Sequence, residues 1–179
     1  MLPTVTLHNL TFEIFLTKEQ IQSRVAELGE QLEAAYADRR PLFLGVLNGS
    51  FIFTADLVRA CTMDCEASFV RLASYQGVAS SGEVTTVIGL PDDLKGRHVI
   101  VVEDIIDSGR TMNYFLQQLG ALQPASVALI ALLHKPDAEQ LPTKIDYLGF
   151  SIPDQFVVGY GLDYDGLGRN LPHIYQLKK

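Results

Sequence analysis

Val99-Ile100-Val101-Val102-Glu103-Asp104-Ile105-Ile106-Asp107-Ser108-Gly109-Arg110-Thr111 is the stretch on which the fold of this chain turns. Its first four residues form an unbroken apolar run, mostly β-branched, which suits a central parallel strand buried on both faces. Glu103 and Asp104 stand side by side where that strand should end. In open α/β sheets the ligand crevice lies just beyond the carboxyl ends of the strands. Asp107 to Thr111 is small and polar with one glycine, and it leads into Met112-Asn113-Tyr114-Phe115-Leu116, where a helix is expected. Backbone N–H groups at a turn opening a helix cradle phosphate.

One short segment therefore offers carboxylates and, beside them, an anion cup. Carboxylates repel phosphate, but they accept hydrogen bonds from sugar hydroxyls and hold Mg2+. A sugar phosphate satisfies both halves at once. The nucleotide-binding pattern GxxxxGK[ST] is absent, and no lysine sits in the cup.

Working outward, Thr17-Lys18-Glu19-Gln20 reads as a capping box, after which Ile21, Val25, Leu28 and Leu32 keep helical spacing to about Ala37. Asp38-Arg39-Arg40-Pro41 breaks that helix, and Leu42 to Leu47 reads as a buried strand. Asn48-Gly49-Ser50 is a second small polar turn before a helix expected from Phe51 to Arg59. Further strands are expected over Ala67–Ala73, Glu83–Ile88, Ser126–Leu133, Tyr147–Phe150 and Phe156–Tyr160. Between the first and second of these lies Ser74 to Gly82, a long, small and polar segment with no packing pattern. Strands alternating with helices indicate a doubly wound α/β sheet.

At 179 residues and 47% hydrophobic composition the chain fits one domain with an ample core. Its net charge of −7 opposes a nucleic-acid or acidic-membrane surface, where a basic stripe would be needed. An anionic substrate then requires local neutralisation by a metal or a few placed cations. Cys61 and Cys65, spaced C-x3-C with no second pair, read as reduced, packed thiols rather than a disulfide or zinc framework. His8, Glu13, Lys18 and Glu19 interrupt the apolar residues near the start, so no signal peptide or membrane span is expected, and a cytoplasmic location follows. His8, His98, His134 and His173 form no metal or nucleophile pattern.

The Val99–Thr111 segment resembles the phosphoribosyl-pyrophosphate signature of type I phosphoribosyltransferases, and the resemblance extends over nearly the whole chain. It points to the hypoxanthine-guanine branch. Leu47-Asn48-Gly49-Ser50 resembles that branch's small pyrophosphate loop, and Ser74-Tyr75, with Ser80-Ser81-Gly82 behind, its mobile lid. Lys135 follows the strand ending Leu132-Leu133, and Ile152 to Tyr164 is similar to the branch's purine-binding segment.

The resemblance implies a doubly wound, mainly parallel central sheet flanked by helices with a small hood region, as one domain over 1–179 with a lid at about 74–82. It implies a homo-oligomer, dimer or tetramer, with no nucleic-acid or membrane partner. The implied reaction joins phosphoribosyl pyrophosphate to a 6-oxopurine, hypoxanthine or guanine, with Mg2+ as cofactor. The implied roles place Glu103 and Asp104 at the ribose hydroxyls and, with Asp163, at the metal. Asp107 would accept the purine imidazole proton, and Asp107, Ser108, Gly109, Arg110 and Thr111 would hold the phosphoribosyl group. Asn48, Gly49 and Arg169 would meet pyrophosphate, while Lys135, Phe156, Val157 and Asp163 would line the purine site. The resemblance also implies a cis peptide bond between Leu47 and Asn48.

Two positions depart from the family. Asn48 stands where some members carry Lys or Arg, and an amide cannot supply that charge, so the pyrophosphate contact must come from backbone N–H groups or from elsewhere. Arg110 stands where some carry Lys, which keeps the charge and alters its geometry. Taken one at a time, these residues also have ordinary uses: Phe156 as core, Lys135 before Pro136 as a solvated turn lysine, Asp163 and Arg169 as surface charges. The non-enzyme alternative is a phosphoribosyltransferase-fold regulatory protein binding nucleotide or RNA, which the acidic balance opposes. A phosphate-accepting receiver domain is opposed by the mid-chain position of the acidic pair. Among transferases the alternatives are an adenine or a xanthine preference; Lys135 disfavours adenine, because an ammonium donates hydrogen bonds and accepts none, while xanthine turns on backbone geometry that the sequence does not give.

Overall fold

A computed structural model of the chain describes residues 4–74 and 84–178. The elements run β1 (Thr4–Leu7), β2 (Leu10–Leu16), α1 (Lys18–Tyr36), β3 (Leu42–Leu47), α2 (Phe51–Ala60), β4 (Glu66–Ser74), β5 (Val84–Ile88), β6 (His98–Ile106), α3 (Arg110–Ala121), β7 (Ser126–His134), β8 (Tyr147–Ser151), β9 (Val157–Val158) and β10 (Ile174–Leu177). The larger sheet has the order β5-β4-β3-β6-β7-β8. Its last five strands are parallel, and β5 joins the edge antiparallel to β4.

The VIVV run explains why β6 sits at the centre of this sheet. Val99 faces Leu42 on one side and Val127 on the other, and Val102 faces Gly45 and Ile130. Alternate residues feed opposite faces. Phe43, Ile100, Val102, Ile130 and Leu132 pack with Ile21, Val25, Leu28 and Leu32 of α1 and with Phe53 and Leu57 of α2. Leu42, Leu44, Val99, Val101 and Leu129 pack on the other face with Met112, Phe115 and Leu119 of α3. Burying each such aliphatic or aromatic side chain stabilises the fold by about 1.5–3 kcal/mol before entropy is counted. A polar residue in the VIVV run would cost both faces.

Helix α1 starts as its sequence indicates. Thr17 accepts the Gln20 N–H, and the Gln20 side chain accepts the Thr17 N–H, closing the capping box. A second, antiparallel sheet of order β1-β2-β10-β9 forms the hood. Its core is Phe12, Val158 and Tyr175.

Three expectations change. The strand expected over Phe156–Tyr160 is only Val157–Val158, because Gly159, Tyr160 and Gly161 all take positive φ (100°, 49° and 104°) and turn the chain away. Strands β1, β2 and β10 lie in segments that the sequence reading left unassigned. The expected lid begins at Ser74, the last residue of β4, and Tyr75 with the rest of it lies outside the described residues. Among the described residues no helix is long and apolar enough to cross a membrane.

Candidate active site

Strands β3, β6 and β7 end at the same edge of the parallel sheet, and the loops that follow them meet there. Strand β6 does not stop at the acidic pair as expected but runs on to Ile106, and Glu103 and Asp104 are drawn into the protein as part of it. Burial, reinforced by the neighbouring Asp104 charge, raises the Glu103 pKa well above the ordinary carboxylate range. Its Oε2 atom is buried without a hydrogen-bond partner. Burial likewise pushes Asp104 up to about 6, although the Ile105 N–H donates to its Oδ1 at 2.9 Å and the Arg169 charge works in the opposite direction.

Beyond them the chain rounds the expected cup. Gly109 takes φ +77°, a left-handed conformation that suits glycine, and stands as the N-cap of α3. Helix geometry leaves the first-turn N–H groups of α3 without intrahelical acceptors. A cavity of about 180 Å³ runs from Glu103 past Asp107, Ser108 and Gly109 to Thr111 and Met112. Arg110 and Thr111 are exposed at its mouth.

The turn after β3 closes on the same centre. The Leu47–Asn48 peptide bond is cis, as expected. Asn48 is exposed, whereas Gly49 is buried so tightly that a Cβ atom there would collide with the Asp104 carboxylate. Gly161, from the turn after β9, lies on the Gly49 carbonyl with equally little room. Arg169 donates to the Gly161 carbonyl at 2.7 Å and pairs with Asp163 at 2.7 Å. The Asp163 carboxylate also accepts the Gly166 N–H at 2.7 Å, and its charge contributes to the raised Asp104 pKa. Asn48, Gly49, Asp104, Gly161, Asp163 and Arg169 therefore belong to one neighbourhood.

At the other end of the crevice Lys135 follows β7 directly. Its N–H donates to the Ile106 carbonyl at 2.9 Å, which holds it beside the end of β6. Only 7% of the residue is exposed. Its ammonium lies 3.2 Å from Asp154 and 3.8 Å from Asp107. Phe156 is 41% exposed and is braced by Phe12 and Tyr164, with ring centroids 5.9 and 5.6 Å away. Val157 is buried.

The sequence reading thus brought together residues that the fold also brings together. Among the described residues no set of three His, Cys, Asp or Glu side chains is arranged to hold an ion. Asp163 is committed to Arg169 and the Gly166 N–H, contacts that relieve its repulsion with the acidic pair. Asp154 as the partner of Lys135 was missed, although it stands in the quoted Ile152–Tyr164 segment. The Tyr160 hydroxyl, which donates to Asp56 at 2.7 Å and ties the Gly161 turn to α2, was also missed. No local sequence signal marks that pair.

A crevice that sets an acidic strand end beside a helix-opening phosphate cup defines the class. The family model of the phosphoribosyl transferase domain matches residues 13–165, and the chain belongs to that family. Hypoxanthine-guanine phosphoribosyltransferase of Bacillus subtilis is 41% identical over 167 residues, which cover 93% of each chain. The crystal structure of a hypoxanthine phosphoribosyltransferase from Staphylococcus aureus superposes with a TM-score of 0.88 at 37% identity, covering 93% of this chain and 91% of that one. The bifunctional protein TilS/HprT of Listeria innocua is 41% identical over 97% of this chain, which spans 27% of that relative's length.

Proposed function

We propose that the chain transfers the phosphoribosyl group of phosphoribosyl pyrophosphate to a ring nitrogen of hypoxanthine or guanine, releasing pyrophosphate and forming a purine nucleotide. The observation that carries this reading is the order of groups along one crevice. An acidic pair and a phosphate cup lie at one end, a buried ammonium lies at the other, and Asp107 stands between them within 3.8 Å of that ammonium. The names of the B. subtilis and S. aureus relatives agree with it.

Each group has a task in that order. The N–H groups of the cup, with Ser108 and Thr111, take the 5′-phosphate and fix the sugar. Glu103 and Asp104 accept the ribose hydroxyls and support the positive charge that develops on the ring. Asp107 accepts the imidazole proton of the base as its nitrogen attacks. Lys135 donates to the 6-oxo group. A 6-amino group there would leave the ammonium buried without an acceptor on the base, and the site would reject it. Phe156 offers its exposed face to the purine ring. Arg169 and the Asn48–Gly49 turn receive the leaving pyrophosphate.

Mg2+, which the family implies, fits the donors present: two hard carboxylates, one of them with a buried oxygen lacking any protein partner. Glu103 and Asp104 would hold it, where it would offset charge on the leaving group. Magnesium typically takes only one or two protein carboxylates and completes its shell with substrate and water, so the commitment of Asp163 to Arg169 is compatible with binding.

The test is a panel of free purine bases with phosphoribosyl pyrophosphate and Mg2+. Nucleotide should form with hypoxanthine or guanine at far higher kcat/KM than with adenine. Absence of product with every 6-oxopurine, or preference for adenine, would overturn the reading.

A further inference from the structure

We propose that Asn113 is a positioning residue for the phosphate cup, acting through a strap formed by residues 139–143. The inference rests on the reading of Ser108–Thr111 as the 5′-phosphate site and names what holds that site in shape.

The starting observation is a pair of peptide planes gripped from behind. In a planar trans peptide the C=O and the following N–H point in opposite directions, so fixing one aims the other. The Ser108 carbonyl accepts two N–H groups from the strap, those of Gln140 and Leu141, each at 3.1 Å. That aims the Gly109 N–H the opposite way. The next carbonyl, that of Gly109, accepts both nitrogens of a single residue: the Asn113 backbone N–H at 3.0 Å and its side-chain amide at 2.9 Å. That aims the Arg110 N–H. The backbone bond is ordinary for the first turn of a helix. The side-chain bond is additional.

The amide has two hydrogens. Its other short contact is Thr143 Oγ1 at 2.8 Å, with the Pro142 and Leu141 carbonyls further away at 3.3 and 3.4 Å. Thr143 is itself fixed, its hydroxyl donating to the Leu141 carbonyl at 3.2 Å and its N–H to Glu139 at 2.7 Å. Asn113 therefore joins the cup to the strap from the helix side, while Gln140 and Leu141 join them from the strap side. The approach is so close that a Cβ on Gly109 would strike the Leu141 carbonyl and lie 2.5 Å from Thr143 Oγ1. The left-handed glycine thus serves two needs, the turn of the cup and the seat of the strap. Without the Asn113 amide the Gly109–Arg110 peptide keeps only its helical hydrogen bond, and the strap loses its link to α3.

The experiment measures equilibrium binding of two separate fragments, ribose 5-phosphate and pyrophosphate, to the wild-type chain, Asn113→Ala and Thr143→Val. Asn113→Ala should weaken ribose 5-phosphate by about 10-fold, the loss expected of one or two hydrogen bonds, while pyrophosphate affinity changes less than about twofold, below the size of one such bond. In turnover the KM for phosphoribosyl pyrophosphate should rise with the KM for the purine unchanged. Thr143→Val should act in the same direction and more weakly. The double variant should fall short of the summed losses, because both act on one contact.

Unchanged ribose 5-phosphate affinity in Asn113→Ala, or equal loss of both fragments, would overturn the positioning role. If Asn113→Ala does not fold, the same two outcomes in Thr143→Val decide it. Failure of the wild-type protein to bind ribose 5-phosphate would instead remove the phosphate-cup reading itself, and this inference with it.

Discussion

The two ends of the crevice handle buried charge in opposite ways. At the sugar end, Glu103 and Asp104 lie side by side, form no salt bridge among the described residues, and have raised pKa values because burial disfavours their charged forms. At the base end, one ammonium is buried between two carboxylates, Asp154 and Asp107, which are more than half exposed. In the first arrangement burial favours protons, or a cation from outside. The second is neutralised by the protein itself. In the proposed reaction a crevice so divided would take a cation with the sugar phosphate at one end, and at the other a neutral base whose hydrogen-bonding edge suits a lysine.

Changes at the two ends should therefore fail in different ways. The largest effect is expected where the ends meet. Asp107→Asn should lower kcat by ~10²–10⁴-fold, the usual worth of general-base assistance, while phosphoribosyl pyrophosphate binding is largely kept. Single-turnover rates across pH check this, and a variant as active as wild type at every pH would exclude Asp107 as the base.

Next, the sugar end should give up stability in the metal-free protein. The folded Asp104 pKa of about 6 lies above the value near 4 of an unfolded aspartate. The folded state therefore binds the proton more tightly, and the cost of ionising it is absent at low pH. That cost grows as pH rises from about 4 to about 6 and is complete above that window. Asp104→Asn should remove it and stabilise the metal-free protein at neutral pH by about 2 kcal/mol, or ~5 °C in Tm. The gain should vanish below about pH 4. A Tm difference independent of pH would show that the acidic pair is not held at a cost.

At the base end the effect should be one of selectivity. Lys135→Ala should reduce the ratio of kcat/KM for hypoxanthine over adenine by ~10-fold or more, with sugar-phosphate affinity little changed. An unchanged ratio would take Lys135 out of the base pocket. The smallest effect belongs to Asp154→Asn. This pair has its carboxylate more than half exposed, and such pairs contribute no more than ~1 kcal/mol. A change of at most ~5-fold in purine KM is expected, and a larger loss would show that burial of the ammonium makes this pair worth more than an exposed one.

The parts of the fold that were legible in the sequence are those whose cause is local. The VIVV run declares a strand buried on both faces, and Thr17 with Gln20 declares the start of α1, because each signal lies within a few residues. The hood was legible only through the family resemblance, because its strands carry no local signal. Strand β10 is four residues long, and its pairing of Tyr175 with Ile14 on one side and Val158 on the other spans most of the chain. The shortened strand at Val157 was legible in part, since two glycines flank Tyr160 and signal a turn. In the site, residues carried by motifs were found. Asp154, Asn113 and Thr143 were not, because their roles arise from contacts between segments 19 to 30 residues apart. No spacing rule reports such contacts.

The crowding around Gly49 bears on how this crevice could be re-engineered. With Asp104 against its α-carbon and Gly161 against its carbonyl, a side chain at position 49 or 161 would be transmitted to the acidic pair. The two turns are in effect a single mechanical part made from distant stretches of chain. A graft that replaces one without the other would start from a collision. Position 48, one residue away, is exposed and open to variation. A lysine introduced there would add charge at the rim and leave the interlocked glycines beneath it as they are.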